Sequence, residues 1–104
     1  MHKELGSGFL EKVYENALAL ELGRCGMSVR TQAEIGVRYK GESVGVYYAD
    51  LFVQDTVICE IKAVEAITNA HQAQLLHYLK ATGIKVGLLL NFGPRRVGVK
   101  RMVY

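Results

Sequence analysis

The chain has 104 residues, enough for one hydrophobic core and too few for two, so residues 1–104 read as a single domain. Half of them are hydrophobic and 22% are charged, an ordinary globular composition that leaves no room for a low-complexity tract or a long linker. A formal charge of +3 with a pI near 9.0 admits a polyanionic partner without requiring one.

Two cysteines, Cys25 and Cys59, are too few for a disulfide framework, and Cys59 sits in an apolar run. A reducing, cytoplasmic setting is the simplest reading. The N-terminus lacks a signal-peptide pattern, and the longest aliphatic run, Leu88–Leu90, is far too short to span a bilayer. No membrane partner is expected.

In chain order, a GlySerGly break at Gly6–Gly8 precedes a helix from Phe9 to about Cys25. Leu10, Val13, Tyr14, Ala17, Leu18 and Leu22 recur there at helical spacing. Gly26 or Gly23 ends it. Glu11 neighbours Tyr14 on this helix, and by spacing alone it is a helix-start acid favoured by the dipole. Val29–Tyr39 reads as a strand of mixed pattern, LysGlyGlu at 40–42 as a turn, and two further strands follow, the last ending near Lys62. Together they predict an antiparallel meander. Thr68 or Asn69 caps a second helix that runs from about Asn69 to Thr82 and stops at Gly83. Its Leu75, Leu76 and Leu79 are core candidates, while His71, Gln74 and Tyr78 form a polar and aromatic stripe. Val86–Asn91 is nearly pure apolar, as a buried strand should be. AsnPheGlyProArgArg turns the chain, and Val97–Val103 alternates as a charged edge strand.

The stretch Asp50–Lys62 breaks the hydrophobic pattern in a specific way. Two apolar runs flank GlnAspThr, a hairpin-turn composition. Glu60 and Lys62 are two apart on the second strand, so they share a face with Ile58. If the strands pair as a hairpin, Asp50 lies across from Glu60. Two carboxylates of this kind suit Mg²⁺ or Mn²⁺, which take hard oxygen ligands. Such an ion makes water a better nucleophile and offsets charge on a phosphoryl group. On spacing alone, a surface salt bridge is the simpler explanation of Glu60 and Lys62.

An Asp, a spacer, then Glu-x-Lys resembles the core pattern of the PD-(D/E)XK nuclease superfamily. The order helix, three strands, helix, strand, strand matches most of its αβββαβ core. That implies an α/β (α+β) restriction-endonuclease-like fold, a mixed central sheet flanked by two helices. Gly8-Phe-Leu-Glu11-Lys-Val-Tyr14 is similar to the GxxExxY signature of a small bacterial and archaeal family within the superfamily. TyrAlaAspLeu, GluIleLysAlaVal, the block HisGlnAlaGlnLeuLeuHisTyrLeuLysAlaThrGly and LeuLeuLeuAsnPheGly look like its other blocks.

The resemblance implies roles position by position. Glu11, Asp50 and Glu60 would be metal ligands and Lys62 the catalytic lysine. Gln74 and Tyr78 fit a Gln-x-x-x-Tyr helix motif next to the active site in exonuclease branches. His71 is a neighbour of that motif, and His77 and His2 are expected at the surface. Similar proteins carry an additional helix ahead of the HisLysGluLeuGly segment, which implies uncovered apolar surface and self-association, most simply as a homodimer.

The function expected from these residues is a Mg²⁺- or Mn²⁺-dependent nuclease acting on DNA, or alternatively RNA, without intrinsic sequence specificity. Arg95, Arg96, Lys100 and Arg101 form a basic C-terminal cluster that reads either as a phosphate grip or as charge protecting an edge strand. The alternative is a non-catalytic nucleic-acid-binding or assembly module that keeps the nuclease fold.

Overall fold

The computed structural model describes residues 11–93 and 96–104. The GlySerGly break, Phe9 and Leu10 at the expected helix start, His2 and Arg95 lie outside the described residues. The elements are α1 (Glu11–Arg24), β1 (Val29–Tyr39), β2 (Glu42–Val53), β3 (Val57–Lys62), α2 (Asn69–Thr82), β4 (Val86–Asn91) and β5 (Gly98–Val103). The strands form one sheet in the order β1-β2-β3-β4-β5. The first three pair antiparallel, β3 and β4 pair parallel, and β5 returns antiparallel on β4. The single parallel step is the one bridged by α2, because a parallel neighbour needs a crossover.

Local chemistry sets the ends of both helices. Gly26, with φ of 85°, closes α1. The Met27 amide reaches the Leu22 carbonyl and the Gly26 amide that of Gly23, the paired bonds of a Schellman cap. Thr68 rather than Asn69 caps α2: its hydroxyl accepts from the His71 amide while the His71 ring accepts from the Thr68 amide. His71 therefore serves the helix start.

Each sheet face has its own core. Toward α2, Leu75 and Leu79 pack on Ala33, Tyr47, Ala49, Phe52, Ile58 and Leu89. Toward α1, Tyr14 packs with Leu51, Cys59, Ile61 and Phe92, its ring stacked on Phe92 at 4.8 Å. Alternation along β1 and β2 does not run through unbroken. Ala33, Ile35 and Val37 face α2, whereas Val29 belongs to the α1 side; Tyr47 and Ala49 face α2, whereas Leu51 and Val53 do not. Both strands change face at one level, where Gln32 adopts φ of 46° and the Gln32–Asp50 pair drops out of the ladder. Because both strands shift together, the register on either side is kept.

The segment after β3 is anchored by Asn91, a buried amide on the neighbouring strand. Its Oδ1 accepts from the Val64 and Gly93 amides, and its Nδ2 donates to the Val64 carbonyl. Gly93 packs so closely on this segment that a Cβ would lie 2.0 Å from the Val64 carbonyl oxygen. This clamp fixes the chain as it leaves Lys62. Asn91→Ala leaves those buried groups without partners, a loss of about 2–3 kcal/mol. Thermal unfolding should show a melting temperature lower by about 10 °C or more. An unchanged transition would mean that the clamp contributes nothing.

Candidate active site

The β2–β3 ladder holds Leu51–Cys59, Phe52–Ile58 and Val53–Val57 and then stops. Continuing the register by one step places Asp50 opposite Glu60, as the hairpin pattern predicts. Beyond that level the strands part. The Ile61 amide donates to Asp50 Oδ2 at 2.8 Å, and the Ala63 amide donates to Glu11 Oε2 at 3.1 Å. Alternate amides on one edge of β3 are thus taken by carboxylates from β2 and α1.

Glu60 and Lys62 point to the α2 side of the same strand end. They line a cleft of about 460 Å³ with Gln74 and Tyr78 of α2 and with Val37, Val46, Tyr47 and Tyr48 of the β1–β2 hairpin. The structure therefore brings four of the predicted residues together in one place. Gln74 Nε2 donates to the Tyr78 hydroxyl at 3.5 Å, a long bond, and the Tyr78 ring stacks on Tyr47 at 4.1 Å. Among the described residues, Glu60 Oε1 and the Tyr47 hydroxyl are buried without hydrogen-bond partners.

Two residues of this region escaped the sequence reading. Glu15 on α1 is 3% exposed and holds Lys12 Nζ at 2.6 Å. Its Oε1 also accepts from Gln32 Nε2 at 2.9 Å, and the same Gln32 amide reaches Asp50 Oδ1 at 3.3 Å. Gln32 thus ties the α1 acid to the β2 acid, and its left-handed backbone is strain of the kind that collects near functional sites. Glu15 was detectable in principle, being four residues from Glu11 on the same helix face. The Gln32 kink carries no residue-type signal.

The electrostatics follow from crowding acids around one strand end. Burial pushes the Glu60 carboxyl from 4.5 up to about 7. The Lys62 ammonium pulls it down, Glu15 raises it, the Asp50 amide lowers it by a hydrogen bond, and Glu11 raises it further. Burial also raises the Cys59 thiol to about 11, with help from Asp50. Cys59 is therefore a protonated core thiol and not a nucleophile.

The donor chemistry suits a hard divalent ion. Every candidate ligand is a carboxylate, and Glu60 Oε1, buried without a partner among the described residues, is a group that burial penalises unless something pairs with it. Asp50 spends one oxygen on the β3 amide of Ile61 and Glu11 one on the amide of Ala63, just past β3, but a carboxylate has further lone pairs. Among the described residues, no three His, Cys, Asp or Glu side chains already converge in an arrangement that could hold a metal. Two carboxylates with waters are sufficient for Mg²⁺.

The predicted basic cluster is divided. Lys100 pairs with Leu89 and Arg101 with Leu88, so the two side chains leave opposite faces of β5. Arg96 is exposed beyond the strand. Lys100 borders a separate cavity with Glu65 and Gln72 and takes no part in the Glu60 cleft. His77 is exposed, as expected.

A pH dependence follows from Glu60. Its folded value lies above its ordinary one, so between pH 4.5 and 7 the folded state keeps a proton that the unfolded state has released. Stability from this group is complete below that window and is lost as pH rises through it, by at most about 3 kcal/mol. Urea unfolding of the metal-free protein across this range should show that decline, and Glu60→Gln should lack it. Parallel curves for the two proteins would mean that Glu60 titrates as an ordinary carboxylate.

A family model described as PD-(D/E)XK nuclease superfamily matches residues 1–102. None of the curated proteins matches the chain. The crystal structure of SSO0001 is similar at a TM-score of 0.67 and 19% identity, over 88% of this chain and 49% of that one. The chain thus spans about half the length of that protein, and the likeness is one of fold. No described helix is long and apolar enough to cross a membrane. A five-stranded mixed sheet between two helices is the restriction-endonuclease-like α+β architecture expected. With nearly the full length of the chain matched, the protein belongs to the PD-(D/E)XK nuclease superfamily, whose members are usually nucleases that use divalent metals.

Proposed function

We propose that the chain hydrolyses phosphodiester bonds of nucleic acid, DNA in the first place and RNA as the alternative, in a Mg²⁺- or Mn²⁺-dependent reaction. We also assign it to the GxxExxY branch of the superfamily, on the Gly8–Tyr14 stretch. The observation that supports hydrolysis best is Glu60 Oε1, buried without a hydrogen-bond partner among the described residues, two residues from Lys62 in a cleft walled by Gln74 and Tyr78. A carboxylate oxygen buried without a partner is costly, and a catalytic role explains why it is there.

Asp50 and Glu60 would hold the ion, with Glu11 as the third acid. The bound ion would lower the pKa of a water and offset charge on the phosphoryl oxygens. Lys62 carries donors only; its ammonium would hold a nonbridging phosphate oxygen and stabilise the charge that gathers there in the transition state. Gln74 and Tyr78, on the facing helix, would orient the phosphate or sugar within the cleft. Gln32 and Glu15 would keep Asp50 in place. Hydrolysis consumes one water. Its oxygen joins phosphorus as the bond to the leaving sugar oxygen breaks, and that oxygen takes up a proton.

One observation favours a second reading. No three-donor group stands assembled among the described residues, as would suit a nucleic-acid-binding or assembly module without catalysis. A cleavage assay separates the two, using single- and double-stranded DNA and RNA with Mg²⁺, Mn²⁺ or chelator. Hydrolysis requires cutting that chelator stops. In that case Glu60→Gln should reduce turnover at least about 100-fold while binding stays within a few fold, since phosphate affinity rests on cations. Lys62→Ala should lower kcat far more than it changes the metal concentration needed. Metal-stimulated cutting by Glu60→Gln at the parent rate would remove Glu60 from the site, and no cutting of any substrate by the parent would leave the binding module.

A further inference from the structure

Beyond the level of Asp50, the β1–β2 hairpin leaves the rest of the sheet as an arm. β2 pairs with β3 only at residues 51–53, whereas its pairing with β1 continues out to Tyr39–Glu42. The arm closes on a tight turn in which Lys40 and Gly41 both have positive φ, 51° and 81°, the primed geometry that suits hairpin twist. Its surface is unusual. Tyr48 is 54% exposed and Tyr39 62%, with Val44 and Val46 also exposed. By alternation Tyr48 and Val46 share the face turned away from Tyr47 and α2, whereas Tyr39 follows Ala33, Ile35 and Val37 onto the other face. The exposed Tyr48 and Val46, side by side, mark an interaction surface.

This surface runs into the cleft. Tyr48 and Val46 border the same cavity as Glu60 and Lys62, so whatever lies along the arm also reaches those groups. At the far end, Lys40 Nζ stands 5.4 Å from the Tyr39 ring centroid, and the Arg38 guanidinium is fixed beside the turn by a 3.2 Å bond to the Gly41 carbonyl. Glu34 opposite Tyr48 and Glu42 opposite Tyr39 balance these two cations. The arm thus offers rings with little net charge. That combination suits the flat faces of unpaired bases, because stacking needs a ring, and a few cations suffice for the phosphates between them. A duplex hides its base faces within the stack and presents phosphates, so it has little to gain from Tyr48. The cleft volume of about 460 Å³ is also of small-ligand size.

Resting on the hydrolytic reading of the Glu60 cleft, we propose that the β1–β2 arm is a stacking platform that selects unpaired nucleotides, with Tyr48 taking the base nearest the cleft. The substrate class is then single-stranded nucleic acid or unpaired ends, and the arm is a specificity element. Tyr48 makes no contact with the reacting atoms.

The test uses the full chain carrying Glu60→Gln, in chelator, with labelled oligothymidylate and a blunt duplex of equal length followed by fluorescence anisotropy. The single strand should bind at least about 10-fold more tightly. Tyr48→Ala should weaken it about 10-fold, the loss of one stacked base, while Tyr48→Phe should stay within about 2-fold because the ring remains. Tyr39→Ala, on the other face of the hairpin, should leave single-strand binding unchanged, and none of the three should alter duplex binding. Circular dichroism of each variant reports whether it is folded. Equal affinity for the two forms, or a folded Tyr48→Ala that binds like its parent, overturns the proposal. A Tyr48→Ala effect on sedimentation alone also overturns it, making the arm a contact between copies. Tyr48-dependent single-strand binding in a protein that never cleaves would sustain the platform and remove the hydrolysis. Cleavage indifferent to Tyr48 would do the reverse.

Discussion

The hydrogen bond from the Ile61 amide to the Asp50 carboxylate sets where β2 and β3 separate. A sheet normally satisfies strand amides with carbonyls of the next strand. Here the partner is a side chain, so β3 can end with its edge amides satisfied while β2 turns away. Ala63 repeats the arrangement with Glu11 from α1. The gap so opened is the cleft, and Glu60 and Lys62 project into it because strand side chains alternate.

The same arrangement concentrates negative charge. Glu11 and Glu15 both act on Glu60, and burial does more than either. Among the described residues, Lys62 is the cation that counts in its favour. A carboxyl held near neutrality is costly in an apolar setting, and a hard divalent ion or a bound proton relieves it. Around it the structure spends polar groups on support: Lys12 on Glu15, Gln32 on Glu15 and Asp50, and Asn91 on the segment after Lys62. Rigid placement of that kind is what a reacting group requires.

Two cores on opposite faces constrain β1 and β2 more than a single core would. Their shared change of face at Gln32 and Asp50 lets the inner parts of both strands pack toward α1 while the middle parts pack toward α2. The cost is a non-glycine residue at positive φ. The gain is an Asp50 whose carboxylate lies toward β3 and an arm that continues past the sheet with tyrosines on its surface.

Much of the fold was legible because its signals are local. Helical spacing located α1 and α2, Thr68 and the glycines at 26 and 83 marked their ends, and apolar runs located the strands. Period-two alternation put Glu60 and Lys62 on one face, and i,i+4 spacing put Gln74 and Tyr78 on another; both statements hold whatever else the chain does. That these two faces meet across a cleft is a tertiary fact. So are the burial of Glu15, the bond between Glu11 and an amide 52 residues away, the left-handed Gln32, the raised Glu60 carboxyl and the division of Lys100 from Arg101 by the pleat of β5. Spacing along a chain fixes which side chains share a face, whereas desolvation, backbone strain and charge coupling depend on which distant segments pack against that face, and only the folded arrangement decides those.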